Sequence, residues 1–362
     1  MKIGLFGFPK VGKTTLFNTL TGSSAGTEAY SGGRGKTHLA VANVPDHRLS
    51  RLSEIFKPEK TTPAKVEYLD VVGVEKGEAK ESETFLGDIR GTDALLHVVR
   101  AFGDAALPHS QGSIDPRRDA DAMETELILA DHLVVEGRIE RLEANLKKGA
   151  HPEDEKELGL LRKCSECLDR AVPLRDLEVS QEESRKLRGF TFLSAKPLLI
   201  ALNLSESDVG RIATAVKDFG LERFTSRPSV GVVPVSAKIE MEIAQLGNED
   251  RAEFLKSLNL EEPCLDRLIR MSYGLLGLIS FFTVGEDECR AWTIQRGTNA
   301  HKAAGAIHSD LERGFIRAEV IAYDELLRAG SWNGAKEKGK LRLEGKEYVV
   351  QDGDIAHIRF NT

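Results

Sequence analysis

Cysteine is scarce in this 362-residue chain. The four present are too few and too scattered for a disulfide framework, so the fold must rest on a buried apolar core. No apolar run is long enough to cross a bilayer as a helix. Positive charge is not in excess either: 50 Lys and Arg stand against 57 Asp and Glu, a net of −7. That balance argues against holding nucleic acid by bulk electrostatics, and any RNA contact must come from a local basic surface. The first residues run straight into an apolar segment, Ile3 to Phe6, so a cytoplasmic protein without a leader is expected.

What the chain does have is a glycine-rich loop between a strand and a helix. Gly7-Phe8-Pro9-Lys10-Val11-Gly12-Lys13-Thr14 follows Ile3 to Phe6 and opens a helix through Thr15, Leu16, Phe17 and Leu20. That order wraps backbone N–H groups around a nucleotide's phosphates at a helix N-terminus. Gly7 and Gly12 let the loop fold tightly, and Lys13 is placed to reach the β- and γ-phosphates. Thr14 is placed to hold Mg2+. Phe8, Pro9, Lys10, Val11 and Thr15 complete the expected nucleotide contacts.

Cys164 and Cys167 form a C-x-x-C, which invites a zinc or redox reading. They fall with Leu160 and Ala171 on three-four spacing, the apolar stripe of a helix, and no second ligand pair lies nearby. Both are expected as packed seam residues.

With 41% hydrophobic residues over this length, the chain should divide into two or three domains. Up to about Arg100, the short apolar strands Ile3 to Phe6, Ala64 to Leu69 and Ala94 to Val99 alternate with helical stretches, the pattern of a mostly parallel α/β sheet. Between Asp115 and Val172 the pattern turns helical and charged. Val135, Ile139, Leu142 and Leu146 share one face, and a break at Gly149-Ala-His-Pro152 precedes a second amphipathic helix, which predicts an antiparallel helical hairpin. Strands then resume at Pro197 to Leu202 and Val230 to Val235, so the hairpin interrupts the α/β domain. From about Leu278 the strands Ile279 to Thr283, Arg290 to Ile294, Ala318 to Ala322, Glu347 to Val350 and Ile355 to Phe360, with a helix at Asn299 to His308, predict a small α+β module.

Three further signals sit at strand ends. Asp70-Val-Val-Gly73 can bind magnesium through Asp70 and the γ-phosphate through the Gly73 N–H. Val74 stands where many GTPases carry the glutamine that orients the attacking water, and valine cannot do that. Asn203-Leu204-Ser-Glu206 follows the next strand, where guanine-specific proteins use N-K-x-D. Here the Lys is missing and the acid is one methylene longer, which removes the main reason to prefer guanine. Ser236-Ala237-Lys238, after the following strand, completes the base-binding loops.

These loops, with Pro45-Asp-His-Arg-Leu49, Phe56-Lys-Pro58, His97-Val-Val-Arg100, Glu124-Thr-Glu-Leu-Ile-Leu-Ala130, Arg290-Ala-Trp-Thr-Ile294, the run Gly314 to Tyr323 and Arg342-Leu-Glu-Gly345, resemble the Obg-like ATPase (YchF) family from end to end. The resemblance implies a Ras-like P-loop nucleotide domain (1–114 and 190–277), an inserted helical coiled-coil domain (115–189) and a C-terminal TGS domain of β-grasp shape (278–362). It implies ATP preferred over GTP, Mg2+ at Thr14, Asp70 and the switch threonine, and association with ribosomes or other RNA–protein assemblies through the helical and TGS domains. It also implies a histidine in place of the missing glutamine. Counting forward from His97-Val-Val-Arg100, that residue is His109, in a polar loop.

The departures are local. Lys10 stands where the family usually has Asn, a position from which an ammonium could stabilise charge on the transferring phosphate. The first switch reads Glu28 to Thr37, with Arg34 near the expected threonine and Thr37 as the alternative hydroxyl. The second, Glu75 to Thr84, is short and acidic. The expected protein is a slow ATPase acting as a monomeric, cytoplasmic switch, its chemistry carried by Lys13, Thr14, Asp70, Gly73 and His109. The alternatives are a GTPase with the same machinery and a scaffold that holds nucleotide without turnover.

Overall fold

In the computed structural model, which describes residues 1–22, 28–29, 38–71, 86–149 and 151–361 (the backbone alone for 28, 29 and 248), the expected strands assemble around β1 (Lys2–Phe6). β2 (Glu28–Ala29) and β3 (His38–Asn43) form an antiparallel edge. β5 (Lys65–Asp70) and β6 (Ala94–Arg100) flank β1 in parallel, and β7 (Leu198–Asn203) and β8 (Val230–Val235) extend the sheet beyond β6. The order is β2-β3-β5-β1-β6-β7-β8.

Every residue of β6, β7 and β8 is buried, as a parallel sheet covered on both faces requires. Because β1, β5, β6, β7 and β8 run the same way, the loops after Phe6, Asp70, Arg100, Asn203 and Val235 emerge at one edge. That is where open α/β sheets bind ligands.

α1 (Lys13–Thr21) follows β1. α3 (Pro116–Leu146) lays Ala120, Met123 and Leu127 against Leu95, Val99, Leu198, Ile200 and Leu202 of the sheet. Each such valine, leucine, isoleucine or methionine side chain, once buried, contributes about 1.5–3 kcal/mol. The second helix of the hairpin, α4 (Pro152–Asp169), packs its Leu158, Leu161, Cys164, Cys167 and Leu168 against Ile128, Val135 and Leu142 of α3. The seven-residue spacing on α3 is that of a coiled-coil seam. Both cysteines are free and almost fully buried, and burial pushes the Cys164 thiol up to about 11, leaving it protonated and unreactive. Among the described residues no three His, Cys, Asp or Glu side chains gather as a metal site.

The chain divides into two compact units: Met1–Val41 with Glu67–Leu268, and Ala42–Val66 with Ile269–Thr362. This departs from the expected boundaries, which placed residues 42–66 with the nucleotide-binding strands. The reason is local to the second unit, where β4 (Lys60–Thr62) pairs in parallel with β10 (Glu288–Gln295) and covers that strand's free edge. Arg48, on α2 (His47–Phe56), adds a clamp. Its guanidinium bonds Asp46 at 2.7 Å and Asp352 at 2.9 Å and lies over the Phe282 ring.

The remaining strands of that unit are β9 (Leu278–Thr283), β11 (Phe315–Ala322), β12 (Arg342–Glu344) and β13 (Asp354–Phe360), in the order β12-β11-β13-β9-β10-β4. The last strand lies parallel to the first, and the helix Ala300–Ile307, capped by Asn299, packs Ala300, Ala303 and Ala304 on the sheet. The expected strand at Glu347 to Val350 is absent. Only Val349 makes an isolated bridge, to Asn299, and β12 pairs with β11 in its place.

α5 (Ala237–Gln245) begins directly after β8, and one turn on carries Glu240, which is 2% exposed. Its carboxylate accepts the N–H of Cys264 at 2.7 Å and that of Leu265, holding the start of α6 (Cys264–Leu275). Burial outweighs those bonds and pushes the carboxyl up from 4.5 to about 7. A raised carboxyl contributes stability that is complete below about pH 4.5 and is lost as pH climbs through about 7. Glu240→Gln removes that loss. Relative to wild type, its unfolding free energy should rise by roughly 2–3 kcal/mol between pH 5 and pH 8, read by denaturant titration at both values.

Candidate functional site

The loop after β1 turns through three unusual backbone angles: Gly7 at φ +146°, Lys10 at +63° and Gly12 at +93°. Two of these positions exclude a side chain. A Cβ on Gly7 would sit 2.5 Å from the carbonyl oxygen of Val98, and one on Gly12 would sit 2.4 Å from Asn203 Nδ2. The loop therefore lies directly on β6 and β7, with the first turn of α1 presenting free N–H groups to an anion.

Lys13 folds back into the loop. Its ammonium donates to the carbonyls of Gly7 at 2.9 Å and Phe8 at 2.8 Å, and the residue is 8% exposed. Burial drops its pKa to about 8, partly offset by the Asp70 carboxylate. Burial likewise raises the Asp70 carboxyl, against the opposing pull of Lys13. Thr14 Oγ1 and Asp70 Oδ2 lie 3.5 Å apart, at the outer limit of a hydrogen bond. Two oxygens so placed suit Mg2+, which takes one or two protein donors and fills its octahedron from phosphates and water.

Asn203 ties the loop after β1 to the loop after β8. Its Nδ2 donates to the Val11 carbonyl at 2.9 Å, and its Oδ1 accepts the Ala237 N–H at 3.0 Å, with the side chain 4% exposed. Leu204 is buried, and its N–H bonds the Val235 carbonyl at 2.7 Å. Ser236 is buried with no partner for its hydroxyl among the described residues. Glu206 and Lys238 meet in an exposed ion pair at 2.6 Å, joining the two loops. Phe8 is half-buried against the core, Pro9 and Thr15 are half-buried, and Lys10 is exposed. Gly73, Thr37 and Arg34 lie outside the described residues, as do Glu75 to Thr84.

His109 is not the solvated loop residue that its polar neighbours suggest. Its side chain is 3% exposed and lies against Asp119, 2% exposed, with Nε2 and Oδ2 2.9 Å apart. Burial here is tertiary: the loop folds back onto the start of α3, which carries Asp119.

Two residues on β6 that the sequence offered only as a family signature, His97 and Arg100, are buried. His97 stacks on Phe6 at 4.8 Å, and burial, with a lesser push from the Lys13 charge, drops its pKa to about 3 and keeps it neutral beneath the cradle. Arg100, 1% exposed and in register with Asn203, donates to the Phe102 carbonyl at 3.0 Å and covers the Phe102 ring. The available signal was a histidine and an arginine inside an otherwise apolar strand.

Known proteins match this arrangement along its length. Residues 2–130 match a family described as 50S ribosome-binding GTPase, and residues 278–361 match YchF-GTPase_C, described as a protein of unknown function. The protein named ribosome-binding ATPase YchF from Bacillus subtilis is 43% identical over 99% of this chain and 98% of its own. Its counterpart from Haemophilus influenzae is 43% identical over 99% of both. The solved structure of the Schizosaccharomyces pombe YchF GTPase superposes with a TM-score of 0.84 at 32% identity, covering 99% of this chain and 97% of that one. Identity at that level over the whole length, joined to a common fold, places this chain in the YchF family.

Proposed function

We propose that this protein is a slow ATPase and nucleotide-dependent switch that associates with the ribosome. The observation that carries the reading is the single hydrogen-bonded unit formed by the phosphate loop and the base loops through Asn203, with Lys13, Thr14 and Asp70 gathered beside it. Lys13 and the backbone N–H groups hold the β- and γ-phosphates, and Thr14 and Asp70 hold Mg2+. When bound, Mg2+ neutralises charge that develops on the transferring phosphoryl group. His109 orients or deprotonates the attacking water, taking the place of the glutamine that Val74 displaces, and Lys10 adds positive charge at the loop. The γ-phosphate is read by the segments after Thr21 and Asp70, including Gly73 and Thr37, and that reading sets the grip on the partner.

The relatives named for ribosome binding support the partner, with RNA contact through local basic surfaces of the helical and C-terminal parts. The protein acts as a cytoplasmic monomer. No helix among the described residues is long and apolar enough to cross a membrane.

ATP is the preferred substrate because Glu206, longer than the aspartate of guanine-specific loops and paired with Lys238, does not serve the guanine N–H groups. Glu206→Asp shortens the acid and should move the ratio of GTP to ATP affinity toward GTP by about tenfold, the worth of one charge-assisted hydrogen bond. A nucleotide panel with and without ribosomes, recording both binding and phosphate release, tests the whole reading. Turnover of ATP with ribosome binding that depends on the nucleotide is expected, and binding without turnover would favour a scaffold.

A further inference from the structure

We infer that Asp119 is a resting-state latch that holds His109 out of reach of water and must release it before hydrolysis. The inference rests on the ATPase reading above. His109 leaves the nucleotide edge of the sheet on the loop after Arg100, yet its imidazole is almost completely enclosed. Nδ1 accepts the Gln111 N–H at 3.1 Å, which puts the proton on Nε2, facing Asp119. Nδ1 is thus occupied and Nε2 carries the proton, so no lone pair is left for a water. A group in that state cannot orient or deprotonate the nucleophile.

The latch is built to hold and to open. The Asp119 carboxylate is fixed by Arg118, whose Nε and Nη2 reach Oδ1 at 3.0 and 2.8 Å, and Arg118 is itself anchored on Ser113. Asp115 caps the helix at the Arg118 N–H, so the start of α3 does not depend on the histidine. The remaining oxygen, Oδ2, faces Nε2 at 2.9 Å but off the line of a directed hydrogen bond, and neither atom has another partner among the described residues. A close contact with poor alignment is weaker than the Arg118 fork. It is the contact that gives way first when the loop is displaced.

The test uses Asp119→Ala, with the isosteric Asp119→Asn as a second variant and circular dichroism as the fold check. Steady-state hydrolysis gives kcat and KM for ATP, and diethyl pyrocarbonate labelling of His109, followed by mass spectrometry, reads its accessibility. Freeing the imidazole should raise kcat about fivefold with KM within about twofold, and should speed labelling by a similar factor. The same substitution placed in a His109→Ala background should leave kcat where His109→Ala alone puts it. An unchanged or lowered kcat, or an equal gain without His109, overturns the latch. If the wild type releases no phosphate, the ATPase reading fails. The labelling then still decides the latch, which faster modification in the variants supports and equal modification refutes.

Discussion

Lys13→Met should lower the affinity for Mg·ATP by about 10²–10³-fold and abolish turnover while leaving the fold intact. The lost free energy is that of two charge-assisted hydrogen bonds to phosphate, about 3–4 kcal/mol. Stability should move differently from function. The buried ammonium, pulled down to about 8 from 10.5, is costly to keep charged inside the loop. Between those two values the unfolded chain binds more protons than the folded one, so this lysine makes wild-type stability rise with pH from about 8 to about 10.5. Lys13→Met lacks that rise. Near pH 7 the variant gains what desolvation cost and loses the bonds to the Gly7 and Phe8 carbonyls, so its melting temperature should stay close to wild type. Calorimetric titration with Mg·ATP and thermal unfolding at pH 7 and pH 10 check both halves.

Asn203→Ala should damage stability and binding together. The carboxamide joins two backbone groups that are buried with it, and truncation leaves the Val11 carbonyl and the Ala237 N–H without partners. Each unsatisfied group costs about 1–3 kcal/mol, so a total loss of about 2–6 kcal/mol is expected from denaturant unfolding. ATP and GTP should weaken alike, by tenfold or more, because the cradle loses its alignment with the base loops. Asn203→Asp keeps the acceptor for Ala237 but turns a buried carboxylate oxygen toward the Val11 carbonyl oxygen, so it should cost at least as much as alanine. Gly12→Ala attacks the same bond from the other side, since its Cβ would occupy the place of Nδ2 and the backbone there has φ +93°.

The parts of this protein that were legible in the sequence are those whose chemistry is written in adjacent residues. The phosphate loop, the order of Asp70, Asn203 and Ser236 at strand ends, and the heptad seam that takes up Cys164 and Cys167 all follow from local spacing. What was not legible depends on partners distant in the chain or on burial set by the whole fold. Lys60–Thr62 has no apolar pattern, and nothing in those three residues announces a parallel pairing with β10. His109 sits among polar neighbours, and its enclosure comes from Asp119 on the following helix. Glu206 and Lys238 lie 32 residues apart in the chain, so their pairing was visible only once both loops met at the sheet edge.

The central claim is that the cradle around Lys13 takes a triphosphate and that the loops around Asn203 and Glu206 favour adenine. Titrating one preparation with Mg·ATP and Mg·GTP in the same buffer, by calorimetry, tests it most directly. Tighter binding of ATP, lost in Lys13→Met, is the predicted result; tighter binding of GTP, or no binding of either, would contradict it.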